Sequence, residues 1–271
     1  MEFRIRGKRI SLWWLVVIFI VLIGVSQRGC GFGYKVYQDA RKYKAGNFAY
    51  SAADVESVQI NWVGADIKVI QKDGGTLHVK ESDRGLSNSQ KLHWRIENGT
   101  LVIQYTKSGY HGRIPGHTKD LTVEVPAGID LEINSVSGDI KLEGSQQYGK
   151  VDINSVSGNV EAGSIAASKA ELTTISGECK IGSLSMDKID IKTTSGDIRA
   201  GIADCSKADL HTVSGDVELF SFPSGGAEIK YASASGSLDA QGYESKDKVV
   251  TIGAGTCKVT VETVSGDLEI R

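Results

Sequence analysis

The sequence predicts an all-β chain, a single-stranded β-solenoid (β-helix) of about 19- to 20-residue coils preceded by one N-terminal transmembrane or signal-anchor helix. Three observations predict it. A Ser-Gly corner returns at near-constant spacing, apolar residues stand at fixed offsets on both sides of that corner, and an unbroken apolar or glycine run from Leu12 to Val25 follows a basic tail.

The corner reads Ser135-Val136-Ser137-Gly138-Asp139 at its first clear occurrence and recurs with Gly158, Gly177, Gly196, Gly215, Gly236 and Gly266 at the glycine position. A degenerate Gly253-Ala254-Gly255-Thr256 stands between the last two. Counting it, the glycine steps are 20, 19, 19, 19, 21, 19 and 11, which implies one coil per step and a half-coil at the end. Two residues after each glycine stand Ile140, Val160, Cys179, Ile198, Val217, Leu238, Cys257 and Leu268. Five residues before it stand Ile133, Ile153, Leu172, Ile191, Leu210, Tyr231, Val250 and Val261, and polar residues alternate with them as a half-buried strand requires. One such coil cannot bury its apolar side, whereas stacked coils turn each inward position into a continuous column. Glycine suits the corner because a left-handed turn costs it least, and the adjacent Ser or Thr can bond the turn backbone.

The earlier segment Ile60 to Val69 parallels Ile133 to Leu142, so the solenoid starts in worn form near residue 55. Further strands are expected at Thr76 to Val79, Leu92 to Ile96, Leu101 to Tyr105 and Leu121 to Val125, with Asn98-Gly99 as a hairpin turn. The resulting division is a basic tail (1–9), a transmembrane or signal-anchor helix (10–26), a juxtamembrane linker (27–50), an irregular first part of the solenoid (51–130) and a regular repeat (131–271). A cleaved signal peptide is the alternative for the apolar run, since Gly24 and Ser26 are small; Arg28 ahead of Cys30 argues against a lipoprotein. Basic residues flank the run on both sides and do not fix its orientation, but a basic cluster directly before an apolar core favours an exported C-terminal domain.

The chain resembles the putative-adhesin, or β-strand-repeat, domains of unknown function found in bacterial cell-envelope proteins. The Ser-Gly-Asp corner, the Gly64-Ala65-Asp66-Ile67-Lys68-Val69 segment and the Val125-Pro126-Ala127-Gly128 junction carry the resemblance, which covers residues 50 to 271. It implies the fold and a role at the cell envelope, and it brings no catalytic or binding residues.

Composition excludes some partners. Lys and Arg total 31 against 33 Asp and Glu, which argues against a broad nucleic-acid surface. No nucleophile elbow, phosphate loop or metal-type Cys or His spacing is present, so no catalytic, cofactor or metal residue is assigned and the chain is read as a non-enzyme. His211, Ser214 and Asp216 lie close in sequence, but residues that recur for corner geometry do not make a triad. The acids after the corner glycine, Asp139, Glu178, Asp197, Asp216 and Asp267, form a row; a hydrated edge is the preferred reading and calcium the alternative. Stacked in chain order, Cys179 and Cys257 stand about 19 Å apart and cannot bridge, and Cys205 reads as a small buried residue.

The connection from Thr106 to Asp120 contains Tyr110, His111, Arg113, His117 and Lys119, a mixture suited to a contact loop; an ordinary polar connection is the alternative. The expected function is a membrane-anchored, extracytoplasmic, adhesin-like interaction module contacting an unknown envelope component, single-pass in the cell membrane. An accessory or sensor protein of an envelope-stress circuit is the second reading. A polysaccharide-active β-helix comes third, disfavoured by the regularity of the acids.

Overall fold

The alternation on either side of each corner sends the chain into two separate sheets. In the computed structural model, which describes residues 2–5, 8–11, 42–83, 85–110 and 119–271, the strand before a corner joins one sheet and the strand after it joins another. We term them the leading and trailing sheets; among the described residues they hold 13 and 11 strands. Lys169–Ser176 and Cys179–Ser185 make a typical coil. It pairs in parallel with both neighbours, Leu172 opposing Ile153 and Ile191 while Cys179 opposes Val160 and Ile198. Inward residues of the two sheets, such as Val151, Ile153, Val160, Ile189, Ile191 and Ile198, meet in one buried core. Each such side chain contributes about 1.5–3 kcal/mol on burial.

The worn early coil is genuine. Ile60 opposes Ile133 and Ile67 opposes Ile140, in the register the sequence comparison implies. Asn98 and Gly99 take φ of +50° and +73° and join His93–Glu97 to Thr100–Gln104 as an antiparallel hairpin.

Coils do not stack in chain order at either end. Thr100–Gln104 and Leu121–Val125 form a coil outside Ser57–Trp62 and Ile67–Gln71, although they follow it in sequence. At the other end, the coil of Cys257–Ser265 and Leu268–Ile270 lies between that of Lys207–His211 and Val217–Phe220 and that of Gly226–Ser235 and Leu238–Ala240. Burial explains this choice: Val259, Val261, Leu268 and Ile270 are buried, whereas Leu238 and Ala240 are only partly so and suit the outermost position. Antiparallel strands then cover both ends, Val249–Gly253 on Gly226–Ser235 and Thr76–Glu81 on Leu121–Val125, which blunts the open edges.

This stacking corrects the reading of Gly253 to Thr256 as a corner. Cys257 begins a leading strand and Val250 lies in the antiparallel cover. It also corrects the cysteines. Cys205 and Cys257 are brought to a Cα separation of 5.3 Å and form a disulfide, while Cys179 is free and buried.

The corner glycines answer to a closer constraint than turn conformation. Only Gly138, Gly158 and Gly177 of the seven have left-handed φ, yet a Cβ on any of them would overlap the carbonyl oxygen of the corner residue on the neighbouring coil. That row of oxygens runs through Ala65, Gly138, Gly158, Gly177, Gly196, Gly215 and Gly266.

The N-terminal expectation is overturned. Residues Met1–Gln38 form a unit of their own, in which Glu2–Ile5 and Lys8–Ser11 pair antiparallel. Ile10 and Ser11, expected to open the helix, are therefore extended, in keeping with the strand preference of β-branched Ile5 and Ile10. No helix among the described residues is long and apolar enough to cross a membrane. Among the described residues nothing therefore supports the helix, the membrane partner or the single-pass placement in the cell membrane; residues 12–26 lie outside the described residues.

Candidate interaction surface

The acidic row has a structural task. Asp66 Oδ1 accepts the backbone N–H of Asp139 at 2.8 Å, Asp139 Oδ1 that of Asn159 at 2.8 Å, and Asn159 Oδ1 that of Glu178 at 2.9 Å. The pattern resumes from Asp197 to Asp216, Asp216 to Asp267 and Asp267 to Ser237, following spatial rather than chain order. Each short acid or amide thus satisfies a corner donor of the next coil that the ladders leave over. The bond from Ser237 holds the Asp267 carboxyl below the usual range. This accounts for the row without calcium, and no group of three or more His, Cys, Asp or Glu among the described residues is placed to hold a metal ion.

The outer face of the leading sheet is closed by its own charges. Lys150, Lys169, Lys188, Lys207 and Lys258 stand in register beside Asp152, Glu171, Asp190 and Asp209. Lys169 pairs with Glu171 at 2.8 Å, Lys192 with Asp190 at 2.7 Å, and Lys207 with Asp209. Lys258 and Lys230 both bond Glu228 and draw its carboxyl down to about 2.

The outer face of the trailing sheet is open. Five residues beyond the corner glycines Gly158, Gly177 and Gly196 come Gly163, Gly182 and Gly201, and the bare backbone of Gly163 and Gly182, with that of Gly144, floors a trough of about 730 Å³. Lys141, Glu161, Lys180, Arg199 and Glu218 form its charged wall, and Phe220 closes one end by leaning over Gly201. Most wall charges are spoken for: Lys141 with Glu161 at 3.6 Å, Arg199 with Glu218 at 2.5 Å, and Arg271 with Glu218 at 3.0 Å. Lys180, in the middle, has no ion-pair partner among the described residues. A Cβ on Gly182 would overlap the Gly163 carbonyl, whereas one on Gly163 meets nothing closer than Gly144 O at 3.6 Å. Sequence reasoning missed this floor, although the repeated five-residue glycine offset announces it.

Only Tyr110 and Lys119 of the expected contact-loop residues fall among the described residues. His111, Arg113 and His117 lie outside the described residues, and Tyr110 is half-buried, its N–H donating to Lys107 O at 3.0 Å. Lys119 is a correction: it is fully buried. Its ammonium pairs with Glu81 at 3.1 Å, donates to the carbonyls of Gln90, at 2.6 Å, and Tyr105, and faces the Trp62 and Tyr105 rings. Desolvation lowers its pKa to about 8 against the pull of Glu81, and raises that of Glu81. The Glu81 carboxylate also accepts Leu92 N–H at 2.9 Å, so the pair fastens the covering loops to the stack. Nothing in the local sequence marks Lys119 as internal, since its partner comes from a distant strand.

Comparison with solved structures finds likeness at low identity. A "putative adhesin" from Parabacteroides merdae is 12% identical over 85% of this chain and 96% of its own, with a TM-score of 0.46. One from Parabacteroides distasonis is 16% identical over 84% and 97%, with a TM-score of 0.45. A "putative lipid binding protein" from the same organism is 18% identical over 85% and 97%, with a TM-score of 0.42. No curated protein matches the chain. The model of the family described as Toastrack DUF4097 matches residues 55–218 and 145–271. These segments overlap and take in every coil of the two-sheet stack, and the chain belongs to the Toastrack DUF4097 family.

Proposed function

We propose that the chain is an adhesin-like interaction module of an oxidising, extracytoplasmic compartment, and that its trailing face holds an extended envelope polymer along the glycine-floored trough. The observation that carries this reading is the contrast between the faces: one is closed by its own ion pairs, the other leaves about 730 Å³ open beside Lys180, which has no ion-pair partner among the described residues. Binding sites of this kind combine a preformed concavity with a few placed polar groups. The Cys205–Cys257 disulfide supports the compartment, because such bonds persist where thiols are not kept reduced. A stack held by continuous ladders also suits contact without chemistry, which is the reading of a binding module rather than an enzyme.

The test is retention of the full-length chain by cell-wall, lipid and membrane-protein fractions. Retention by one fraction, weakened severalfold by Lys180→Glu, is expected. Retention by none, or retention indifferent to Lys180→Glu, would overturn the proposal.

A further inference from the structure

At the covered end of the stack, where Lys44 and Ala45 pair with Trp94 and His93, the outer face of the leading sheet changes character. Regular coils present paired charges there, but here His93 and Gln104 are polar and 5% and 1% exposed. Gln104 is satisfied, its amide donating to Tyr43 at 3.4 Å and accepting from Ser108 at 3.0 Å. His93 is satisfied on one side only. Its Nδ1 lies 3.0 Å from the Lys91 carbonyl, which can only accept, so Nδ1 carries the proton. Burial lowers the pKa of the ring, the Lys91 hydrogen bond offsets part of this, and Lys119 and Lys107 push downward again. The ring is therefore neutral, and Nε2 offers a lone pair with no hydrogen-bond partner among the described residues.

Space accompanies that lone pair. Opposite His93 stands Ala45, and the two line a cavity of about 460 Å³ together with Tyr43, Asn88, Ser89 and Lys107. The volume is that of a small-ligand site. The ring thus gives the cavity wall an acceptor that a ligand hydroxyl can meet. Lys107 is exposed and has no ion-pair partner among the described residues, so the rim adds a positive charge.

We propose that this cavity binds a hydroxyl-rich anion, the chemistry of an acidic sugar: a ligand hydroxyl donates to His93 Nε2, Asn88 and Ser89 exchange hydrogen bonds with neighbouring hydroxyls, and Lys107 faces the carboxylate. The site is separate from the trailing-face trough and does not depend on it.

Calorimetric titration of the full-length chain with glucuronic acid, glucose and acetate tests the assignment. Glucuronic acid should bind saturably, glucose more weakly and acetate not at all. His93→Phe keeps a ring but removes the acceptor and should weaken glucuronic acid about tenfold. Lys107→Gln should reduce glucuronic acid to the level of glucose. Ala45→Leu fills the cavity without touching a polar group and should abolish binding, so the proposal stays testable if His93→Phe does not fold. Gly163→Val, in the trough, should leave the titration unchanged. Absence of saturable binding by either sugar, or binding undiminished in both His93→Phe and Ala45→Leu, would overturn the proposal.

Discussion

The central coils and the two ends are held by different means. From Asp130 to Phe220 each coil stacks on the one before it, each corner glycine lies beneath its neighbour's carbonyl, and the Asp and Asn side chains of the row each hand a hydrogen bond to the next corner, with a break between Glu178 and Asp197. At the ends the order of coils departs from the order of the chain, and single long-range fastenings appear: the Cys205–Cys257 disulfide at one end, the buried Lys119–Glu81 pair at the other. A repeat needs no fastening because every coil presents the same register to the next. A coil placed out of order has no such guarantee, and a specific bond selects its position.

The largest effect should come from the regular region. In Gly177→Ala a methyl overlaps the Gly158 carbonyl, backbone against backbone, with φ at +149°. Denaturant unfolding should show a loss of about 5 kcal/mol, near the limit for a single substitution. A loss below 1 kcal/mol would mean that the coils are not in this contact.

Breaking the fastenings should cost slightly less and act locally. Cys205→Ser with Cys257→Ser opens a loop closed across a sequence separation of 52 and should cost about 4 kcal/mol. Hydrogen exchange should rise over residues 257–270 while residues 150–185 stay protected; uniform exchange would erase the distinction between the regions. Lys119→Met strands the Glu81 charge and should cost about 3 kcal/mol, with Lys119→Met/Glu81→Leu recovering much of it. Failure of the double variant to recover would assign Lys119 a role other than pairing.

The smallest effects belong to the acid row. Asp216→Asn keeps the acceptor, as Asn159 does naturally, and should be nearly neutral, whereas Asp216→Ala should cost about 1 kcal/mol. Acid titration follows the same logic with a definite sign. The Asp267 carboxyl is depressed in the folded state by the Ser237 backbone bond, and Glu228 is held at about 2 by Lys258 and Lys230. Their stabilisation is present above the unfolded carboxylate range and is lost as pH falls through the folded values. Thermal melts should therefore be flat at neutral pH and decline between about pH 4 and pH 2, less so in Asp267→Asn.

Much of this was legible in the sequence because it repeats. Corner spacing and inward offsets placed the apolar columns, and Ile60 to Val69 could be matched to Ile133 to Leu142 residue for residue. The order of the last two coils was not legible, since the same motif introduces both and parallel register is indifferent to which lies inside; relative burial decides. Cys257 was misplaced for that reason, and its disulfide with it. Local extended pairing at Lys8–Ser11 overrode the expected start of a helix. The trough was hidden differently: its glycines were visible, but their meaning depends on the trailing sheet having no neighbour among the described residues to cover it.

The separation of architecture from contact is tested most directly by two substitutions one coil apart. Gly163→Val adds a side chain into the trough where only Gly144 O lies within 4 Å, and Gly182→Val drives one into the Gly163 carbonyl. Melting temperature and envelope-fraction retention should be measured on both full-length variants. Gly163→Val is expected to melt within a few degrees of the parent and to lose retention, while Gly182→Val melts well below it. A Gly163→Val variant that is as stable as the parent and retained as well as the parent would contradict the assignment of the trailing face as the contact surface.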